Sequence, residues 1–190
     1  MCGIFGYLDH KSGRAPDEAK LSRSAASLSH RGPDAHAIFS EPSVGLVHTR
    51  LSLVDLNPRS NQPFWDRSGR WALVFNGEIY NFPELRAELE GEGVAFRTSG
   101  DTEVLLESLL AGDLVTTLRK LEGMFAFALY DREEKALTLA RDRIGMKPLF
   151  FYHDDSRFVF ASEIKAMRGW IPWAGDPAMV APYLHSLRSV

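Results

Sequence analysis

Ile4, Phe5, Tyr7 and Leu8 crowd together without helical spacing, a pattern that predicts a short buried strand over residues 3–8. The rhythm then changes. Ala19, Leu21, Ala25 and Leu28 recur among lysine and serine behind Pro16 and Asp17, so a helix is expected over 17–28. The polar, proline-containing stretch 29–33 should break it. Residues 44–53 and 71–75 return to strand character on either side of a polar loop, 57–69. Asn81 is placed to cap a helix over 82–90, with Glu84 as the second half of a capping box and Gly91 and Gly93 at the end. Asp101 is expected to cap the next helix, 102–110, in the same way.

Four short apolar segments follow: 124–130, 136–140, 148–152 and 158–161. Charged turns at 131–135 and 153–157 separate the outer pairs, so an antiparallel meander is expected. Strands and helices that lack regular βαβ alternation point to an α+β fold with sheets packed together and helices outside. Residues 1–168 are expected to form one domain. Residues 169–190 read as a linker and a helix from Asp176 that stops where the chain ends.

Composition adds exclusions. The 190 residues suffice for a real core, burying roughly 70% of the unfolded surface. Hydrophobic residues are 45% and charged residues 25%, and 22 basic against 25 acidic side chains leave a charge of -3. That balance points away from nucleic acid and anionic membranes. The longest uncharged apolar runs, such as 124–130, fall far below the ~20 residues of a membrane helix, and no basic-then-apolar signal segment opens the chain. A cytoplasmic location is expected. The histidines lack metal-ligand spacing, and no metal is expected.

The single cysteine, Cys2, excludes an internal disulfide and any multi-cysteine metal site. Its place in the chain matters more. Loss of Met1 would make Cys2 the terminal residue, where an amine of pKa about 7.7–8.0 can take the proton of a thiol of pKa about 8.5. Nucleophile and base would then belong to one residue, and the small Gly3 beside it leaves the terminus open. The competing reading, a buried strand cysteine, is the commoner fate of a free thiol.

Eight segments run in one order through nearly the whole chain: Cys2-Gly-Ile-Phe-Gly6, His30-Arg-Gly-Pro-Asp34, His48-Thr-Arg-Leu-Ser-Leu-Val-Asp55, Asn76-Gly-Glu-Ile-Tyr-Asn81, Ser99-Gly-Asp-Thr-Glu103, Gly123-Met-Phe-Ala-Phe-Ala-Leu-Tyr-Asp131, Arg141-Asp-Arg-Ile-Gly-Met-Lys-Pro-Leu149 and Ala161-Ser-Glu163. Together they resemble the class II glutamine amidotransferase domains, which are N-terminal nucleophile hydrolases. The branch they resemble is that of asparagine synthetase. The resemblance implies a four-layer αββα sandwich of two antiparallel sheets. It also implies a reaction in which Cys2 attacks the glutamine side-chain amide, ammonia leaves, and water releases glutamate from a thioester.

The resemblance implies roles for individual residues as well. Asn76 and the backbone N–H of Gly77, otherwise a hairpin signal, would form the oxyanion hole. Arg50, otherwise an ordinary surface cation, would grip the substrate α-carboxylate with its planar fork. Asp101 would accept the α-ammonium, with Gly100 letting the backbone approach; Glu78 would also face the ammonium or else bind backbone amides, and Leu53 would contact the substrate. His48 shares a strand face with Arg50 and is expected to pack or buttress. Arg31 and Asp34 are expected to fix a loop, and Arg141, Asp142 and Lys147 to serve as scaffold.

Asparagine synthetases carry a second domain that uses ATP and magnesium to activate aspartate. The 190 residues hold no Ser-Gly-Gly-x-Asp-Ser loop and no Walker-type loop. No cofactor is expected in this chain, and its ammonia would pass to an ATP-dependent synthetase domain or subunit. Whether the chain is an excised domain or a stand-alone subunit stays open here, as do the ammonia acceptor and a homodimer. Two other readings compete: a non-catalytic scaffold that keeps the fold, and an N-terminal nucleophile amidase for another amide. Retention of Cys2, Arg50, Asn76, Gly77 and Asp101 weighs against the first, and the Arg50–Asp101 pair, suited to a free amino acid, against the second.

Overall fold

The computed structural model describes residues 1–174. Among these residues nine strands build two antiparallel sheets, and four α-helices accompany them. β1 (Gly3–Asp9) is followed by α1 (Glu18–Leu28), β2 (Ala35–Glu41), β3 (Val44–Arg50), β4 (Phe64–Trp65) and β5 (Trp71–Ile79). Then come α2 (Phe82–Gly91), α3 (Asp101–Ala111), α4 (Leu114–Lys120), β6 (Gly123–Asp131), β7 (Ala136–Arg141), β8 (Phe150–His153) and β9 (Arg157–Ala161). One sheet runs β2-β3-β1-β9-β8 and the other β4-β5-β6-β7.

Period-two alternation assigns each strand residue to a layer. Ile4, Leu8, Val44, Leu46, Ala72, Val74, Ala126 and Ala128 meet between the sheets. The opposite face of the first sheet, with Phe5 and Val47, packs on Leu21, Ala25 and Leu28 of α1. The opposite face of the second, with Leu73, Phe75 and Phe127, packs on the helices that carry Leu85, Val104 and Leu105. The layers are therefore helix, sheet, sheet, helix, as the resemblance implied.

The expected meander is two hairpins in different sheets: β6 pairs with β7, and β8 with β9. Asp142 makes the switch. Its backbone N–H still bonds the Phe125 carbonyl, while its carboxylate accepts the N–H groups of Phe125, Met146 and Lys147, curling the chain over Gly145 at φ 69°. The caps differ too. Asn81 does not cap α2 with its side chain; it accepts from the Glu122 N–H and donates to the Lys120 carbonyl, tying α2 to the start of β6. Pro83 at the second helical position has already removed one donor that a cap would satisfy. Asp101 is the first residue of α3, whose cap is Gly100. The strand expected over 44–53 ends at Arg50, and the one expected over 71–75 continues to Ile79. β2, β4 and α4 have no counterpart among the predicted elements. The helix expected from Asp176 lies outside the described residues; Trp170 before it is buried against Phe5 and Tyr7.

Candidate active site

The same alternation that builds the core sets a row of polar groups at one end of the sandwich. Cys2 is in phase with Ile4 and Leu8 of β1, His48 and Arg50 with Val44 and Leu46 of β3, and Asn76 with Ala72 and Val74 of β5. All of them point between the sheets, where the apolar filling stops. A cavity of about 240 Å³ opens there, and Cys2, Arg50, Leu53, Asn76, Gly77, Glu78, Gly100 and Asp101 all contribute to its walls. Every substrate-contacting residue expected from the sequence thus meets at one place.

Cys2 is half-buried, and its Sγ accepts the Leu51 N–H at 3.5 Å. Burial pushes the thiol up, opposed by the Leu51 hydrogen bond and by the positive charges of the chain terminus and Arg50. Such a thiol stays protonated near neutrality unless a base takes its proton. Met1 stands in front of Cys2, over half exposed, and its side chain lines the cavity.

The edge of β5 supplies donors. β4 pairs only with Leu73 and Ala72, so further along β5 side chains satisfy the outward peptide groups. The Phe75 N–H donates to Gln62 Oε1 at 2.6 Å, and the Ile79 N–H donates to Asp101 Oδ2 at 3.1 Å. Gly77 sits midway between them in phase, so its N–H points the same way, away from β6 and into the cavity. Only glycine fits. A Cβ there would strike the Met124 carbonyl and the Phe125 Cα. Beside it the Asn76 side chain is 1% exposed, and neither its Nδ2 nor its Oδ1 has a hydrogen-bond partner. A buried amide left wholly unpaired costs roughly 1–3 kcal/mol, so its presence needs a ligand to explain it.

Other residues hold this edge in place. His48 is buried and its Nε2 lies 3.1 Å from the Phe75 carbonyl, a bond that crosses from one sheet to the other just before Asn76. Burial lowers the imidazole to about 4, outweighing the Phe75 hydrogen bond, and nearby Arg50 lowers it further, so His48 is neutral and donates. Arg50 is also a structural residue. Its Nη1 donates to the Asn57 carbonyl at 3.0 Å and Asn61 Oδ1 at 2.7 Å, and its Nη2 to the Asp55 carbonyl, which leaves part of the fork for a ligand. Asp55 accepts both the N–H and the hydroxyl of Ser99, at 3.0 and 3.1 Å, joining the loop after β3 to Gly100 and Asp101. Asp101 is 6% exposed, and burial raises its carboxyl to about 6 against the hydrogen bonds it accepts, with Glu78 adding like-charge repulsion.

Gln62, Asp55 and Lys147 at this cavity were not singled out as site residues from sequence. Asp55 stood at the end of a matching segment and could have been weighed from that. Gln62 lay in a stretch read only as loop. Asp142 has the scaffold role expected, whereas Lys147, only 6% exposed, contributes to the cavity wall. Among the described residues no group of three or more His, Cys, Asp or Glu could hold a metal ion, and no helix is long and apolar enough to cross a membrane.

Cys2, the partnerless Asn76 amide and Gly77 thus line one cavity at the end of an αββα sandwich. The sequence matches the family described as a glutamine amidotransferase domain over residues 1–188, and the chain belongs to that family. It is 41% identical over 172 residues to asparagine synthetase B (glutamine-hydrolyzing) of Escherichia coli and 38% identical over 168 residues to asparagine synthetase (glutamine-hydrolyzing) 3 of Bacillus subtilis. Each alignment covers 88% of this chain but only 30% and 27% of those proteins, so the chain spans less than a third of their length. In three dimensions it is similar to the glutamine phosphoribosylpyrophosphate amidotransferase of B. subtilis, with a TM-score of 0.71 at 24% identity over 87% of this chain and 43% of that one. That likeness concerns the fold.

Proposed function

We propose that the chain hydrolyses L-glutamine to L-glutamate and ammonia through a thioester on Cys2. The buried, partnerless Asn76 amide next to the outward Gly77 N–H carries this reading, because two such donors facing a thiol suit a tetrahedral oxyanion. With Met1 removed, the Cys2 amine takes the thiol proton, Sγ attacks the amide carbon, and the amine returns the proton to the leaving ammonia. Water then attacks the thioester by the same route. Arg50 takes the substrate α-carboxylate with the free part of its fork and Asp101, ionised, takes the α-ammonium. Gly100, Glu78 and Leu53 complete that end of the pocket.

In this reading the glutaminase unit is residues 1–168 together with Trp170, which packs on Phe5 and Tyr7. The ammonia passes to an ATP-dependent synthetase domain or subunit. The names and lengths of the synthetase relatives support this part. The test is glutamate and ammonia release by the Met1-free chain. Cys2→Ala should abolish release while glutamine still binds; retained turnover overturns the assignment.

A further inference from the structure

Two segments singled out in the sequence have taken no part in the chemistry so far: His30-Arg-Gly-Pro-Asp34 and Ala161-Ser-Glu163. The fold brings them together behind the nucleophile. Arg31 Nε donates to the Cys2 carbonyl at 2.8 Å, and Arg31 Nη1 donates to Glu163 Oε1 at 2.9 Å. On its other sides Glu163 meets His30 Nε2 at 2.9 Å and Lys165 Nζ at 2.9 Å. Ser162 secures the next turn of the pleat, accepting the Ile4 N–H at 3.0 Å and donating its own N–H to the Ile4 carbonyl at 2.9 Å.

The ladder between β1 and β3 begins at the pair Gly3 and Thr49, so Cys2 lies beyond the last rung. A terminal residue in that position frays unless something ties it down. Arg31 is the tie: it is 8% exposed and holds the only Cys2 backbone oxygen. Its Nη2 is buried without a partner, a poor arrangement if the guanidinium served stability alone.

Building on the proposed hydrolysis, we propose that Glu163 is a positioning residue for it: its carboxylate holds Arg31 against the Cys2 carbonyl and so fixes the Cα from which thiol and amine project. Partial burial pushes the Glu163 carboxyl up, but hydrogen bonds from Lys165, Arg31 and His30 prevail and bring it to about 2. The clamp therefore stays charged wherever the thiol is active. A misplacement of about 1 Å can cost roughly 10²-fold in rate, so a small release at Cys2 suffices to be seen in turnover.

The test compares Met1-free wild type, Glu163→Gln and Lys165→Gln in three readings: glutamine kinetics, alkylation of Cys2 by iodoacetamide, and the thermal unfolding midpoint. In Glu163→Gln, kcat should fall roughly 10-fold with KM within about twofold, because geometry and not binding is disturbed. Alkylation should become faster, since a frayed thiol escapes the burial that protects it. Lys165→Gln, which removes an exposed partner of the same carboxylate, should leave all three near wild type. Unchanged kcat and alkylation in Glu163→Gln, a rise in KM alone, or a change confined to the unfolding midpoint would overturn the positioning role. The alkylation reading uses no glutamine. Failure of wild type to release ammonia would therefore strike the proposed function, while the alkylation comparison would still decide the clamp.

Discussion

Asp101→Asn should make the domain more stable and a worse enzyme at once. The wild-type carboxyl is nearly buried and raised from 3.8 to about 6, so in the folded chain near neutrality it is held charged at a cost. At about 1.4 kcal/mol for each pH step, that gap is worth about 3 kcal/mol. The sign follows from linkage. A raised carboxyl binds its proton more tightly in the fold, so the cost is fully present above pH 6, is relieved as pH falls through 6, and is gone below 3.8. Asparagine keeps an oxygen for the Ile79 N–H and removes the charge. Thermal unfolding at pH 7.5 should therefore rise by about 6–12 °C, at about 2–4 °C for each kcal/mol in a chain of this size. The gain should shrink steadily toward pH 4. In the same variant kcat/KM for glutamine should fall roughly 10²-fold or more, since the substrate ammonium loses a buried partner. For wild type, kcat/KM should drop as pH falls below about 6. An asparagine variant that is less stable at pH 7.5, or a gain that is the same at pH 4.5, would refute the reasoning.

Asn76→Ala should depress kcat by roughly 10²–10³-fold with little change in KM, measured by ammonia release. Arg50→Lys should raise KM more than it lowers kcat, because lysine cannot reproduce the fork, and should also lower the unfolding midpoint by loosening the loop that carries Asp55 and Asn57. Buried His48 should take about 3 kcal/mol from stability as pH falls from 6.5 to about 4, because the unfolded chain gains a proton that His48 refuses, while the relief at Asp101 over the same range offsets it; in denaturant titrations the stability difference between wild type and His48→Gln should therefore change by that amount. The 190-residue chain should form no asparagine from aspartate and ATP, and calorimetry with ATP and magnesium should show no micromolar binding.

The residues singled out from the sequence converge on one cavity, whereas several elements around them escape local patterns. Cys2, Arg50, Asn76, Gly77 and Asp101 were legible because their chemistry is tied to short segments, and the strands that hold them keep a two-residue period. The capping of α2 was not legible, because the partners that claim the Asn81 side chain, Lys120 and Glu122, lie some forty residues away. The meander failed for the same kind of reason: hairpin signals at 131–135 and 153–157 are local, while the sheet each hairpin joins is set by the turn that Asp142 organises. β2 was missed because its alternation is weak: Ala35, Ala37 and Phe39 are half-buried on one face, and His36 and Ile38 are exposed on the other. The union of Arg31, Glu163 and Cys2 spans more than 130 residues of chain, and no spacing rule reaches that far.

Everything proposed about the chemistry turns on a free amine at Cys2. The deciding measurement is ammonia release from glutamine by two preparations of the same chain, one with Met1 removed and one with Met1 retained, each verified by intact mass. The Met1-free chain should turn over and carry a glutamyl group on Cys2 after acid quenching, and the Met1-retaining chain should do neither. Equal turnover by the chain that keeps Met1 would mean that the base lies elsewhere and that the mechanism is wrong.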